Sequence, residues 1–420
     1  MVRGPGSLRG DPRTGSCQTA RGEGASPCTS GEGRLSELVL GIDLGTTFST
    51  AAAVVDGKLH FAVDGRGEAC VPSVVHFPKS GPPIVGSDAD RLRTQDPQNT
   101  VFGVKRIVGR RADSPAGRLL DQVAGFKIRQ PGPEGEAAVQ VRGGEFQASE
   151  VASFILRYLK ERSETKFGKR IRKVVLTVPV TADEAVKAAM VRAGKAAGLE
   201  VLRTVAEPCA GAVARGFTGA SWGSAPLLVY DFGGGTLDAT VVRREGQALR
   251  VLSSGGDDVL GGDDFDAAFA RYVASGVFRV HGIDVTRDAV LWERIQRQCE
   301  LVKRALSARK EVRYQLAEAF SIGGRMQHLD YTFSREHLAP SWADLVRRSV
   351  ETTSATVFEA GLTVKDLGAV LLIGGTTFVP QVRAAVAAAF PRPQAVEDDP
   401  QTAVARGAAL LGADARLLAD

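Results

Sequence analysis

An α/β fold of two similar lobes is what this sequence predicts, and three observations predict it. The first is Leu227 to Val242, LLVYDFGGGTLDATVV: an apolar run ending in an acid, three glycines, a hydroxyl and a second run rich in β-branched residues. That order is a strand, a tight turn and a returning strand. The second is Leu38 to Val55, LVLGIDLGTTFSTAAAVV, which repeats it with Asp43 and a Gly-Thr-Thr turn. The interval between the two is too long for a stacked repeat, so the copies mark two lobes that offer matching hairpins to one cleft. The third is size: 420 residues, 44% hydrophobic and 24% charged, suffice for two ordinary domains.

The hairpins also suggest what the cleft holds. Gly233, Gly234 and Gly235 strip the turn of Cβ atoms, so backbone N–H groups can approach a phosphate. Asp231, at the end of the strand, stands where an acid binds magnesium through its waters, and Thr236 and Asp238 add oxygen ligands. One such turn alone also has an ordinary glycine-hairpin reading; its repetition argues for a nucleotide.

Composition narrows the class further. The net charge of +5 is small for this length, and the basic residues alternate with acids instead of forming an aromatic-studded stripe, so no nucleic-acid partner is expected. Cys17, Cys28, Cys70, Cys209 and Cys299 are far apart and show no CxxC spacing, which argues against disulfides and zinc and for a reducing cytoplasm. His60, His76, His281, His328 and His337 are equally scattered and read as structural or surface residues. No apolar run is long enough to span a bilayer, so no membrane is expected.

In chain order, residues 1–36 are rich in Gly, Ser and Arg, lack the apolar centre of a secretory signal and cannot build a core. Disorder is expected there, as a flexible extension or an upstream start codon wrongly assigned. Lobe I is assigned to residues 37–220, with 397–415 returning to it, and lobe II to 221–396. After the first hairpin, CVPSVVHFPKSGPPIVGSDA alternates short strands with breaks. NTVFGVKRIVGRR follows; its Lys105 is either one more solvated cation or a lysine reaching a phosphate and its attacking water. Residues 112–144 suggest a peripheral subdomain, and EVASFILRYLKERSETKFG an amphipathic helix.

VVLTVP reads as a buried strand, and Thr181 with Glu184 as a capping box for the next helix. Ala185, Val186, Ala189, Met190 and Ala193 form that helix's apolar face. Glu207, before Pro208, either caps a short helix or stands beside the metal. In lobe II, Gly261 and Gly262 permit close backbone approach ahead of an acidic helix start. The helix from Leu291 to Ala308 places Ile295, Leu301, Val302, Ala305 and Leu306 on one side. Glu300, Lys303, Arg304 and Ser307 form a polar stripe opposite, either solvated or bordering the cleft. DLGAVLLIGGTTFVPQVRAAVAAAF is a strand, a Gly-Gly turn and a helix, and a small-residue helix closes the chain.

Taken together, GIDLGTTFS, NTVFGVKR, VVLTVP, AGLEVLRTVAEP, VYDFGGGTLD, GGDDFD, CELVKRALS, IGGTTFVP and ARGAA resemble, in order and spacing, the DnaK-type, seventy-kilodalton heat-shock chaperones, from about Leu38 to Ala413. The resemblance implies the two-lobed actin-like ATPase fold, closing over ATP or ADP with magnesium and, in some relatives, potassium. Asp43 and Asp231 would hold the hydrated magnesium. Gly45, Thr46, Thr47, Phe48, Gly233, Gly234, Gly235 and Thr236 would surround the phosphates, with Gly261 and Gly262 behind them. Lys105 would orient the γ-phosphate and attacking water, which Glu207 and Asp231 help to order; Thr236 completes the catalytic set. Glu300, Lys303, Arg304 and Ser307, with Gly374, Gly375, Thr376 and Phe378, would line the adenosine site.

Three positions depart from the family pattern. Phe378 replaces the arginine that lies over adenine, so an aromatic ring would stack on the base with Arg304 on its other face. Cys209 replaces a threonine, and Gln401 an acid near the hinge between the lobes. Relatives continue into a linker, a peptide-binding domain and a lid, so a nucleotide-binding domain alone is expected. Its activity would be slow, magnesium-dependent ATP hydrolysis in the cytoplasm, in stress response. A co-chaperone, a nucleotide-exchange factor or a separate client-binding chain would be its partner. The alternatives are a nucleotide-sensing interaction protein that does not hydrolyse and an actin-like filament former, the latter disfavoured by NTVFGVKR and CELVKRALS. A small-metabolite kinase lacks an acceptor motif.

Overall fold

Each predicted hairpin forms the centre of a sheet, and the two sheets share one plan. The structure, a computed structural model, describes residues 37–132, 135–216, 224–246, 248–396 and 399–414. The disorder expected over 1–36 falls outside them. In the first sheet, Val39–Asp43, Phe48–Val55 and Lys58–Phe61 run antiparallel in sequence, and Lys173–Val178 and Glu200–Ala206 extend the other side of Val39–Asp43 in parallel. In the second, Leu227–Phe232, Leu237–Glu245 and Ala248–Asp257 form the same meander, and Ala369–Ile373 and Gln394–Val396 the same parallel extension. Register puts Asp43 opposite Thr50 and Asp231 opposite Asp238, so each lobe delivers its acid at the mouth of its turn.

This duplicated mixed-sheet arrangement is the two-lobed actin-like fold. The central strands are apolar on both faces because helices cover both faces. Every residue of Leu227–Phe232 and of Ala369–Ile373 is buried. The Ala148–Phe167 helix buries Val151, Ile155, Leu156 and Leu159 in the core of the first sheet. Trp342, on the Arg335–Glu359 helix, is buried in the core of the second and donates its indole N–H to the Phe265 carbonyl at 3.0 Å.

A third core joins the two sheets. Val175 and Val205 come from the first, Leu227, Val229 and Leu371 from the second, and Ala210, Ala403 and Ala408 from the two short helices between them. The small side chains of the closing helix, Ala403–Ala413, let its backbone lie against strand and helix directly. A Cβ on Gly41 would overlap the Ala409 backbone, and one on Gly407 the Ala210 carbonyl. Residues 112–144 contribute a helix, Pro115–Val123, capped by Ser114, whose side chain accepts from Gly117 N at 3.1 Å, and two short strands of a three-stranded sheet.

Two local expectations are corrected. Thr181 and Glu184 do not form a capping box: a turn bond from Ala182 N to the Pro179 carbonyl delays the helix to Glu184–Ala196. Asp183 caps it instead, accepting from Val186 N at 2.9 Å. Ala185, in that first turn, is therefore exposed, while Val186, Ala189, Met190 and Ala193 are buried. In the Ala289–Ala308 helix, Leu301 is 46% exposed, since 100° per residue turns it well away from Ile295, Val302 and Leu306, which are buried.

Candidate functional site

The two hairpins meet across a cleft of about 350 Å³. Asp43, Gly45, Thr46, Thr47 and Phe48 line it from one lobe, and Asp231, Gly233, Gly234, Gly235 and Thr236 from the other. Glycine is required where the turns touch: a Cβ on Gly234 would overlap Thr47 Oγ1, and one on Gly235 would lie 2.6 Å from Thr46 Cγ2 and 2.9 Å from Arg106 Nη2. Thr376 Oγ1 donates to the Gly233 carbonyl at 2.7 Å and holds the turn from behind. Gly374, at φ +82°, adopts a left-handed conformation that favours glycine, and a Cβ there would overlap the Phe232 carbonyl.

Lys105 and Glu207 lie 102 positions apart in the chain and meet in the cleft. Gly103, at φ +65°, turns the chain into a short 3-10 segment, Val104–Arg106, and Glu207 opens the Glu207–Ala214 helix. Lys105 Nζ donates to Glu207 Oε1 at 2.7 Å, with both side chains largely buried. Of the two readings of Glu207, the carboxylate is thus committed to Lys105, and no side chain caps the helix. Asp43 accepts from Thr177 Oγ1 at 3.0 Å, and Asp238 from Thr236 Oγ1 at 3.2 Å.

Four carboxyl groups are crowded around one ammonium here. Burial pushes Glu207 up to about 7 and Asp238 up to about 6, in both cases against the pull of Lys105. Asp43 is raised by burial, and Asp231 well above the ordinary range by burial and then by Glu207, Asp238 and Asp43. Burial alone would lower Lys105, but Glu207 and Asp43 outweigh it and hold the ammonium above its usual value. The carboxyl and hydroxyl groups offer only oxygen ligands, and crowded carboxyls pushed up in this way are what a hard divalent cation would hold ionised. Among the described residues no three or more His, Cys, Asp or Glu side chains converge to ligate a metal directly, so the fit is to a hydrated ion.

The other end of the cleft is built differently. Glu300, Lys303, Arg304 and Ser307 line it from one helix, and Gly374, Gly375, Thr376 and Phe378 from the turn after Ala369–Ile373. Lys303 is not free: its Nζ donates to Asp266 Oδ2 and to the Gly262 carbonyl, each at 2.7 Å. The Arg304 guanidinium lies 5.1 Å from the centre of the Phe48 ring, and that of Arg383 lies 5.4 Å from the centre of Phe378. Glu300 pairs with Arg297 at 2.5 Å, and Arg297 also reaches Asp90, while Arg93 pairs with Glu293 at 2.8 Å. These ions line a second, smaller cavity of about 130 Å³.

Of the candidate site residues, Gly261 and Asp238 do not line the cleft itself. Gly261 backs the turn of Gly233, Gly234 and Gly235, where a Cβ would overlap the Gly234 carbonyl, and Asp238 is buried behind Thr236. Sequence reasoning missed Asp263, Asp266, Val379, Pro400 and Val404 as lining residues, and treated Gln401 as a departure near the hinge and not as part of the wall. The acids of GGDDFD were a usable signal, since they follow two glycines that approach the turn. His76 shares a buried hydrogen bond with Thr100 at 2.9 Å, and His328 and His337 accept backbone N–H groups through Nδ1, which are structural roles.

Comparison with known proteins follows the same lines. A family model described as Hsp70 protein matches residues 39–415. The mitochondrial heat shock 70 kDa protein of Solanum tuberosum is 34% identical over 375 residues, which are 89% of this chain and 54% of that relative. The chain thus spans about half the length of the curated relative it matches. A mitochondrial relative overturns the cytoplasmic placement expected from the cysteines, because unpaired thiols report a reducing environment and not an address. No described helix is long and apolar enough to cross a membrane.

Proposed function

This chain belongs to the Hsp70 family, and from that premise we propose that it binds ATP with magnesium between its lobes and hydrolyses it slowly to ADP and phosphate. The family is one of chaperone ATPases. The observation that carries the reading is the buried Lys105–Glu207 pair, 2.7 Å long, set among Asp43, Asp231 and Asp238. We take residues 37–220 with 397–415 as one lobe and 221–396 as the other.

Phosphoryl transfer to water needs positioning and charge neutralisation more than a strong base. The N–H groups and hydroxyls of Thr46, Thr47, Gly233, Gly234, Gly235 and Thr236 would hold the phosphates. Asp43 and Asp231 would hold the hydrated magnesium, which when bound neutralises phosphate charge, with potassium as a further counter-ion. Lys105 would orient the γ-phosphate and the water, and Glu207 with Asp231 would order that water. Its oxygen bonds to the γ-phosphorus as the bridging bond to ADP breaks. A co-chaperone, a nucleotide-exchange factor and a client-binding chain are the proposed partners.

The test is single-turnover ATP hydrolysis with magnesium and potassium, in wild type and Lys105→Ala, with nucleotide binding measured in the same samples. Hydrolysis in wild type, lost in the variant while binding persists, is the expected result. Wild type that binds ATP without hydrolysing it would favour a second reading, a nucleotide-sensing interaction protein. The specific observation behind that reading is the pair Phe378 and Gln401 on the cleft wall, where the family has an arginine and an acid.

A further inference from the structure

The loop that carries Gln401 is pinned to the far end of the cleft. Gly374 N donates to the Pro400 carbonyl at 3.1 Å, Gln401 N donates to Asp399 Oδ1 at 3.2 Å, and Pro400, Gln401 and Val404 all line the wall. The Gln401 side chain lies against Gly375, where a Cβ would come within 2.8 Å of Nε2; the glycine is what allows the amide so close. Three residues on from that glycine, Phe378 lines the same end, with the Arg383 guanidinium on its ring and Arg383 Nε fixed to the Thr377 carbonyl at 2.6 Å. The Gln401 side-chain amide makes no hydrogen bond among the described residues, so its donor and acceptor remain available at the cleft wall.

Stacking on an aromatic ring is indifferent to which base is stacked, because every base has a π-face. Identity has to be read at the edge. Adenine presents a donor, its amino group, beside an acceptor, N7, and a carboxamide matches that pair with one acceptor and one donor. Guanine presents two acceptors, O6 and N7, so the amide oxygen would face a lone pair. A guanidinium, with two donors, has the opposite preference.

We propose that Gln401 determines the base specificity of this site, its amide pairing with the amino group and N7 of adenine while Phe378, backed by Arg383, supplies the stacking surface. This rests on the nucleotide reading above and adds to it the residue that selects the base.

The test measures displacement of a ribose-labelled fluorescent ATP from the full chain by ATP, GTP and 7-deaza-ATP, which lacks N7. Wild type should bind ATP more tightly than GTP, and 7-deaza-ATP more weakly than ATP. Gln401→Ala should reduce the ATP-over-GTP preference by about tenfold and abolish the difference between ATP and 7-deaza-ATP, and Gln401→Arg should shift the preference toward GTP. Each preference is a ratio within one sample, so a partly folded variant does not imitate the effect. An unchanged preference in Gln401→Ala, or equal binding of ATP and 7-deaza-ATP by wild type, overturns the proposal and leaves the nucleotide reading standing. Wild type that binds none of the three overturns both.

Discussion

The two ends of the cleft are made of different materials. At the end lined by Gly233, Gly234 and Gly235 the decisive contacts are close approaches to glycine backbone and buried charges: Gly234 against the Thr47 side chain, Gly374 against the Phe232 carbonyl, and Lys105 against Glu207 among three further acids. At the other end they are made by the tips of side chains, with Phe378 under Arg383, Arg304 over Phe48, and Gln401 against Gly375. A backbone contact tolerates no substitution, and a buried charge tolerates none without its partner. A side-chain tip can be exchanged without moving its surroundings. The departures at Phe378 and Gln401 fall at the exchangeable end, which is where one fold can keep its chemistry and alter its selectivity.

The sharpest way to break this comparison is at the buried pair. Lys105→Ala strands the Glu207 carboxylate and should cost about 3 to 5 kcal/mol of stability in urea unfolding. Adding Glu207→Gln removes the stranded charge and should restore much of that loss. A double variant as unstable as the single one would mean that packing, and not charge, holds this end of the cleft together. Next, Gly234→Ala forces the two hairpins apart at Thr47, and hydrolysis should fall about a hundredfold from misplacement alone.

At the other end the effects should be smaller. Phe378→Ala should weaken ATP and GTP alike, by about tenfold, in the displacement assay. Selective loss of one base would move base reading from Gln401 to the ring. Asp266 tests the wall between the two ends, because burial pushes it up to about 7 against the pull of Lys303. An acid raised on folding holds its proton in the native state after the unfolded state has released it. The stability it contributes is therefore fully present below about pH 4 and is lost as pH rises to about 7. Asp266→Asn should flatten that slope in urea midpoints taken across the window, and an unchanged slope would assign it to other groups. The smallest effect is expected of Gly375→Ala, which displaces only the flexible end of Gln401 and should change stability by less than about 0.5 kcal/mol.

Much of the cleft lining was legible because the expected turn needs glycines in succession, an acid at a strand end and a hydroxyl, and such requirements leave a local pattern. Asp43, Asp231 and the flanking strands follow from that pattern, as do the matching hairpins. Lys105 and Glu207 were each ambiguous in the chain, since a lysine beside an arginine and a glutamate before a proline have ordinary surface readings. Their meeting at 2.7 Å joins residues 102 positions apart, which no local pattern expresses. The cap at Asp183 and the exposure of Leu301 were misjudged for a similar reason: a single turn bond and the packing of one helix decide them.

What the sequence determined by itself is the duplicated strand–turn–strand unit and the chemistry of its turns, because strand alternation, glycine content and acid placement act over a few residues. Tertiary structure alone decided which charges face one another. Asp266 holds Lys303, Arg297 bridges Asp90 and Glu300, and Gln401 is brought against Gly375 because Gln394–Val396 pairs beside Ala369–Ile373. Charge pairing depends on distance in space and on burial, and both are set only when the two sheets close around their shared core.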